Sequence, residues 1–320
     1  MAYNLENLFD TERDLRTSDY THLPLALKRK DPAIIAGCNA IKNDFYRKAC
    51  LELDWNESTL KKKMNNLARV ILSVDEGRGP DILFVEEVEN EAILKRFNAE
   101  YLKAAGYITV FAPEGFDDRG IDVGLLSRFP IQGKPTLHKI PFKLNSEEET
   151  RRASDTRGIL EVPLQLPDGS VGYFFTVHLP SQSNPHEQRR QAVEFIVGLL
   201  KDRSAKGLAV VAGDFNITAD EDDRTGLYSK TLSSVGKVSH LVGCQHCRGT
   251  HYYKGSWSFL DAIVVAESGG WQMLPDTVWV VRALKEQLYH DIKPNRFDET
   301  TGEGMSDHLP IYARIGKKTN

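Results

Sequence analysis

VVAGDFN, residues 210–216, sets an apolar run against a polar end. Val210, Val211, Ala212 and, three residues on, Phe215 read as a buried strand, yet the segment closes on Gly213, Asp214 and Asn216. Strand side chains alternate sides, so in extended geometry Asp214 and Asn216 point the same way. Two acceptors aimed at one spot suit a metal, a water or a phosphate. An Asx-turn closing the strand is the alternative that these letters alone leave open.

Outward from that stretch, other segments show strand character: PDILFVEEV (80–88), YITVFAP (107–113), GIDVGLLSR (120–128), RGILEVPLQL (157–166), VGYFFTVHL (171–179), SFLDAIVVA (258–266) and LPIYARI (309–315). TVWVVRAL (277–284) is a weaker one. Leu60, Met64, Leu67, Ala68, Ile71 and Leu72 fall at helical spacing, as do Ile93, Leu94, Phe97, Tyr101 and Leu102, with a stop at Gly106. NPHEQRRQAVEFIVGLL (184–200) predicts a third helix, with Asn184 as N-cap, Pro185 in the first turn and Glu187 at the third position. Residues 11–57 show no clear period, and NSEEETRRASDTR (145–157) reads as a loop between strands. Many strands, few helices and several direct strand-to-strand passages predict a sheet sandwich flanked by helices. No linker, repeat or low-complexity segment divides the chain, so residues 1–320 are expected to form one domain.

The composition is that of an ordinary soluble protein, with 41% hydrophobic and 27% charged residues. Lys+Arg number 41 and Asp+Glu 45, a formal net charge of −4. A protein that held nucleic acid by charge alone would be basic; this chain needs a cation or local clusters to approach a phosphate. Clusters exist at 28–30, 61–63, Arg151-Arg152 and Arg189-Arg190, though each reads equally as a solvated face. No apolar run approaches a membrane span, and no signal peptide is visible. The first informative residues come almost at once, which a truncated start lacking a secretory segment would explain; export is expected in that case and a cytoplasmic location otherwise. Cys244 and Cys247 form C-x-x-C near His240, His246 and His251, without a second such pair. Disulfides or plain thiols therefore fit Cys38, Cys50, Cys244 and Cys247 better than zinc.

Polar residues recur at strand ends. They are Asn4, Glu6 and Asn7 in the first strand, Glu86-Glu87, His178, Asp214 with Asn216, Asp261, and Asp307-His308. Burying ionisable groups is costly unless they are paired or bind a metal. Their recurrence points to a hard-cation, oxygen-ligand site with histidines for proton work. Phosphate ester hydrolysis uses that chemistry, since a cation offsets developing charge while a base activates water.

Taken in order, YNLENLFD, FVEEVEN, RGIDVGLLSR, TVHL, GDFN, SFLDAIVV and SDHLP resemble the endonuclease/exonuclease/phosphatase superfamily, from Asn4 to Ile311. The resemblance implies a four-layer α/β sandwich of two packed mixed β-sheets flanked by helices. Within that superfamily the chain is similar to bacterial proteins that begin YNxENLFD, carry RGIDV in mid-chain and a late segment like GTHYYKGSWSFLD (249–261), many of them exported. By resemblance, Asn4 and Glu87 are cation ligands with Asp307 near the same ion or a second one. The ion would be Mg²⁺, with Mn²⁺ or Ca²⁺ as alternatives. Asp214 would orient or deprotonate the attacking water, and Asn216 would hold water or a phosphate oxygen. Asp261 would fix the tautomer of His308, which contacts the phosphoryl oxygen or shares proton transfer. His178 would be an acid for the leaving oxygen, and Arg157 a phosphate-facing arginine. Glu86 stands where the family usually has glutamine, and Asp122 where many branches have a small residue. The activity implied is a phosphodiesterase or nuclease on DNA or RNA. The alternatives are a phosphomonoesterase or lipid phosphodiesterase on inositol phosphates or a sphingomyelin-like headgroup, or a silent binding module. A monomer is expected.

Overall fold

A computed structural model describes residues 1–18 and 20–318. The first strands are β1 (Ala2–Leu8), β2 (Ile82–Val88), β3 (Thr109–Phe111) and β4 (Asp122–Ser127). Next come β5 (Thr136–His138), β6 (Ile159–Gln165), β7 (Val171–His178), β8 (Leu208–Asp214) and β9 (Lys237–Val238). A hairpin of β10 (His251–Tyr253) and β11 (Ser256–Ser258) precedes β12 (Asp261–Ala266) and β13 (Trp271–Val280). Two short strands, β14 (Leu288–Tyr289) and β15 (Lys293–Pro294), precede β16 (Ile311–Lys317).

Two six-stranded mixed sheets result, ordered β13-β16-β1-β2-β4-β3 and β5-β6-β7-β8-β12-β9. Each has one parallel pair inside an otherwise antiparallel sheet, β1 with β2 and β7 with β8. Alternation along each strand sorts the layers. Phe84, Val123 and Leu125 of the first sheet pack against Val162, Phe174, Val210 and Ile263 of the second. The opposite parity faces helices: Leu5, Leu83 and Val85 pack with Leu60, Met64 and Leu67, while Phe175, Val177 and Val211 pack with Ala192, Val193 and Ile196. The expected α/β sandwich is observed, helix layer on each outside.

The segment 11–57 holds three short helices, α1 (Leu25–Lys30), α2 (Pro32–Ala40) and α3 (Asp44–Glu52). A disulfide joins Cys38 to Cys50 across them, and a second joins Cys244 to Cys247, which leaves no thiolate for zinc. The two long periodic helices are α4 (Glu57–Ile71) and α5 (Glu91–Tyr101). The expected loop at 145–157 contains α6 (Glu147–Ala153). Ser146 Oγ accepts from Glu149 N at 3.1 Å, with acids in the first turn and arginines in the last, the charge order a helix dipole favours. The third periodic helix is α7 (His186–Ser204), and it starts later than its sequence signals place it. Pro185 is extended at φ −54°, ψ 140° and itself takes the N-cap position, so Asn184 lies outside the helix and donates to Ser181 Oγ instead. No helix among the described residues is long and apolar enough to cross a membrane.

Candidate active site

The parity that fills the space between the sheets changes chemistry at one end. Along β1 it runs Ala2, then Asn4; along β2 Phe84, then Glu86; along β7 Phe174, then His178; along β8 Val210 and Ala212, then Asp214. On β12 the order reverses because the strand is antiparallel, so Asp261 precedes Ile263. The register places Asn4 beside Glu86 in one sheet, and His178, Asp214 and Asp261 side by side in the other. All five are buried. The C-terminal ends of both parallel pairs thus meet across one gap.

Strict alternation would send Glu87 to the outer face. Instead the ladder slips between Glu86 and Val88, and Glu87 takes φ 59°. Glu6 and Asn7 on the paired strand β1 are also left-handed, at φ 51° and 61°. Such geometry is uncommon for residues other than glycine and gathers at functional sites. The paired bulges bring Glu87 back toward Asn4: Asn4 Nδ2 donates to Glu87 Oε1 at 3.2 Å and to Asp214 Oδ2 at 3.3 Å, while Asn7 N donates to Glu87 Oε2 at 3.1 Å. Gly213 has φ 135°, and a Cβ there would sit 2.1 Å from Val177 O. The glycine of GDFN is therefore required where β8 passes β7.

Around Asp214 the remaining groups fall into place. His178 Nε2 lies 3.6 Å from Asp214 Oδ2 and 3.9 Å from Glu87 Oε1. His308 Nε2 lies 3.9 Å from Asp214 Oδ2, and its Nδ1 is 2.7 Å from Asp261 Oδ2. Asn216, left-handed at φ 54°, donates its backbone N–H to Asp214 Oδ1 at 2.8 Å and Nδ2 to Leu179 O at 3.0 Å. Its carboxamide is thus partly committed to the backbone, a detail that strand alternation alone does not foresee. Arg157 is buried beside the cluster, with Nε 3.4 Å from Asp117 Oδ2.

Asp307 is placed differently. Among the described residues its carboxylate makes no hydrogen bond or ion pair with Asn4 or Glu87; its position comes from the backbone, whose N–H donates to Glu6 Oε2 at 3.1 Å. Glu6 also accepts from Phe297 N at 2.9 Å and from Arg296 Nε at 2.7 Å, with Lys63 Nζ at 3.7 Å. This buried acid ties the 296–307 segment to β1. Glu6 takes no role from the sequence beyond that of a strand-end acid, although it stands within YNLENLFD. Asp117 and Arg119, in FDDRG, take no role from the sequence motifs.

Electrostatics separates the two histidines. Burial, with the nearby charges of Arg157, His308 and Arg119, holds His178 well below the ordinary histidine range, so it is neutral. Burial opposes charge on His308 too, but Asp261, backed by Asp214 and Asp307, outweighs it and keeps the imidazolium. Burial also raises Asp214, with Asp261 adding to the effect and His308 opposing it. Glu86, fully buried with neither carboxyl oxygen partnered among the described residues, is raised well above the carboxylate range by burial and then by Asp261 and Asp214.

Asp214, Asp261 and His308 offer ligand atoms within 4.8 Å of one another, a spacing open to a metal ion. The short Asp261–His308 bond argues for a different use, because Nδ1 is occupied and a carboxylate in that position orients the ring. The carboxylates of Glu87 and Asp214 are the better match for a hard cation; Asn4 turns its Nδ2 toward them while its Oδ1 accepts from Glu6 N at 2.9 Å, so its amide would have to turn over to add an oxygen.

The sequence matches the profile of the Endonuclease/Exonuclease/phosphatase family over residues 35–317. No curated protein matches it. Among solved structures, the fold is similar to zebrafish (D. rerio) TDP2 carrying 14 humanizing mutations, at 18% identity and TM-score 0.59, covering 82% of this chain and 94% of that one. D. rerio TDP2 complexed with a single-strand DNA product is similar at 19% identity and TM-score 0.57, covering 80% and 93%. A mannosyl-6-phosphatase from Bacteroides thetaiotaomicron VPI-5482 is similar at 16% identity and TM-score 0.53, covering 81% and 94%.

Proposed function

The chain belongs to the endonuclease/exonuclease/phosphatase family, whose members are phosphoester hydrolases, and from that premise we propose that it is a divalent-cation-dependent phosphodiesterase acting on DNA or RNA. The observation that carries the reading is the convergence of Asn4, Glu87, His178 and Asp214 within 3.2–3.9 Å, with the Asp261–His308 pair directly behind.

The donor set suits Mg²⁺, with Mn²⁺ or Ca²⁺ as alternatives: it offers an amide and carboxylates, and no thiolate. Asn4 and Glu87 would hold the ion, with Asp307 as a further acid alongside. When bound, the cation would polarise a phosphoryl oxygen and offset its developing charge. Asp214 would orient the attacking water and take its proton at Oδ2, with Oδ1 kept in place by the Asn216 N–H. His308, oriented through Nδ1 by Asp261, presents Nε2 to a phosphoryl oxygen as an N–H donor. His178 is neutral; its Nε2 faces the carboxylates and, with the ring proton on that nitrogen, would donate toward the leaving oxygen. Arg157 adds a buried positive charge toward the phosphate. Charge-matched donors in a site closed to water account for the largest part of such catalysis.

A phosphomonoesterase or lipid phosphodiesterase on the same residues is the second reading, favoured by the net charge of −4, which is weak attraction for a polyanion. The test is a panel of supercoiled plasmid, oligonucleotides, inositol phosphates and sphingomyelin vesicles with Mg²⁺, Mn²⁺ or Ca²⁺. Cleavage of nucleic acid that stops with EDTA and with Asp214→Ala supports the first reading. Release of inorganic phosphate or lipid headgroup alone moves the assignment to the second, and no hydrolysis of any substrate sinks both.

A further inference from the structure

Beside the cluster, two guanidinium groups share a single acid. Asp117 is buried, its side chain 4% exposed. Asp117 Oδ1 accepts from Arg119 N at 2.9 Å and Nε at 3.2 Å, and Oδ2 accepts from Arg119 Nη2 at 3.0 Å. Oδ2 also lies 3.4 Å from Arg157 Nε. One carboxylate therefore faces two arginines, and the trio keeps a net positive charge.

The two arginines are differently exposed. Arg157 is nine-tenths buried, and its Nε finds no hydrogen-bond partner among the described residues. A buried guanidinium whose nearest acceptor is an ion-paired oxygen 3.4 Å away, without a hydrogen bond at Nε, is costly, and an incoming anion relieves that cost. The Arg119 side chain is 59% exposed, and its Nη1 makes no hydrogen bond among the described residues. Both charges act on the cluster, since Arg119 and Arg157 lower His178 and both are themselves influenced by Glu87.

The loop that carries Arg119 is held in place. Gly115 N donates to Asp122 Oδ1 at 2.8 Å, Phe116 N to Thr156 O at 3.1 Å and Asp118 N to Asp155 Oδ1 at 2.9 Å. Two of these bonds join it to the segment immediately before Arg157. Asp122, the departure noted in the sequence, anchors the loop. A cation fixed before ligand arrives loses less entropy on binding.

Resting on the hydrolase reading above, we propose that Arg119, fixed with Arg157 on Asp117, forms a second anion subsite at the rim of the cluster and selects substrates that carry another phosphate close to the scissile one. Arg157 lies deep enough for the reacting phosphate, and the exposed Arg119 takes its neighbour. Planar guanidinium groups match phosphate oxygens in paired hydrogen bonds. The second phosphate could belong to a nucleic acid strand or to a polyphosphorylated small molecule.

Calorimetry with the whole chain separates these cases, with and without Ca²⁺. One arm compares thymidine 3′,5′-bisphosphate with thymidine 5′-monophosphate, the other an inositol bisphosphate with an inositol monophosphate. The wild-type chain should prefer a bisphosphate by about tenfold, the size expected for one charge-assisted contact. Arg119→Ala should cut that preference below about twofold and leave monophosphate affinity within about twofold, and Arg119→Lys should fall between. A preference confined to the thymidine arm assigns the second phosphate to a strand; one confined to the inositol arm assigns it to a small molecule. An undiminished preference in Arg119→Ala, equal weakening of both ligands, or no preference in the wild type overturns the subsite. Failure to hydrolyse any ester while the Arg119-dependent preference persists overturns the hydrolase reading alone.

Discussion

The inner faces of the two sheets are built on one alternating pattern, yet their two ends differ. At the end described above, inner positions carry Asn4, Glu86, His178, Asp214 and Asp261, all buried. At the other, the same parity carries Phe84, Phe174, Leu208, Val210 and Ile263, which with Trp271 and Leu274 line a cleft of about 550 Å³. Ion pairs stand at its mouth, Arg128 with Asp81 at 2.6 Å and Arg314 with Asp75 at 2.7 Å. Left-handed residues other than glycine occur at both ends, Glu6, Asn7, Glu87 and Asn216 at the polar one and Asp75 and Glu76 at the mouth of the cleft, so the contrast lies in the side chains. Apolar burial contributes stability in proportion to area, whereas buried polar groups cost it unless matched. The contrast assigns support of the fold to one end and chemistry to the other, and substitutions should separate the two.

The largest effect is expected at the polar end. Asp214→Ala should lower the rate of phosphodiester hydrolysis about 10³-fold, the range of a removed base or transition-state contact, with the unfolding midpoint no lower than wild type. Steady-state kinetics and urea unfolding on the same sample check both halves. A variant that loses stability along with activity would erase the distinction between the ends.

The converse substitution is Phe174→Ala, at the apolar end. Phe174 is 2% exposed and packs near Phe84 with ring centroids 6.3 Å apart. Truncating it should cost about 3 kcal/mol of stability, read by urea unfolding, with kcat within about twofold where the protein remains folded. A large fall in kcat would mean that packing at the far end sets the site's geometry.

A smaller effect tests burial without a catalytic role. His240 stacks on Phe259 at 4.6 Å and meets the edge of Tyr228 at 4.7 Å, and its Nδ1 has no partner among the described residues. Burial lowers it to about 4, with Asp222 opposing. Between its ordinary value near 6.5 and about 4, the unfolded chain binds a proton that the folded chain refuses, so stability falls as pH drops through that window. The component should reach about 3 kcal/mol at most. Comparing His240→Gln with wild type from pH 7 to pH 4 should remove that slope; parallel curves would show that the ring titrates freely.

The inner-face pattern was legible because alternation is local. Val210, Val211 and Ala212 predict a buried strand, and Asp214 its polar end, without reference to any partner. Glu87 was legible only through resemblance, since alternation alone turns it outward and the bulge depends on the neighbouring strand. Helices α1–α3 were not legible because pieces of six to nine residues show too little period. In α6 the signal was present, Ser146 before three glutamates, but no apolar stripe drew attention to it. Arg119 was hidden for a different reason: its meaning comes from sharing Asp117 with Arg157, which lies 38 positions further along.

Glu86 is the sharpest test of the comparison because it is polar, buried and beside Glu87, yet has no assigned role. Its side chain reaches across the gap toward Gly213, where a Cβ would lie 2.6 Å from Oε1, and neither oxygen is partnered among the described residues. Glutamine, the family's usual residue here by resemblance, has nearly the same shape and cannot ionise. If Glu86 only fills the end of the inner row, Glu86→Gln should raise stability by up to about 1 kcal/mol, because a buried amide costs less than an acid among Asp214 and Asp261. Activity should stay within about threefold. The opposite pattern, unchanged stability with metal affinity or kcat down tenfold or more, would make Glu86 a working member of the cluster. Urea unfolding in EDTA and Mg²⁺-dependence of the rate, measured on one preparation, separate a residue tolerated at the polar end from one required there.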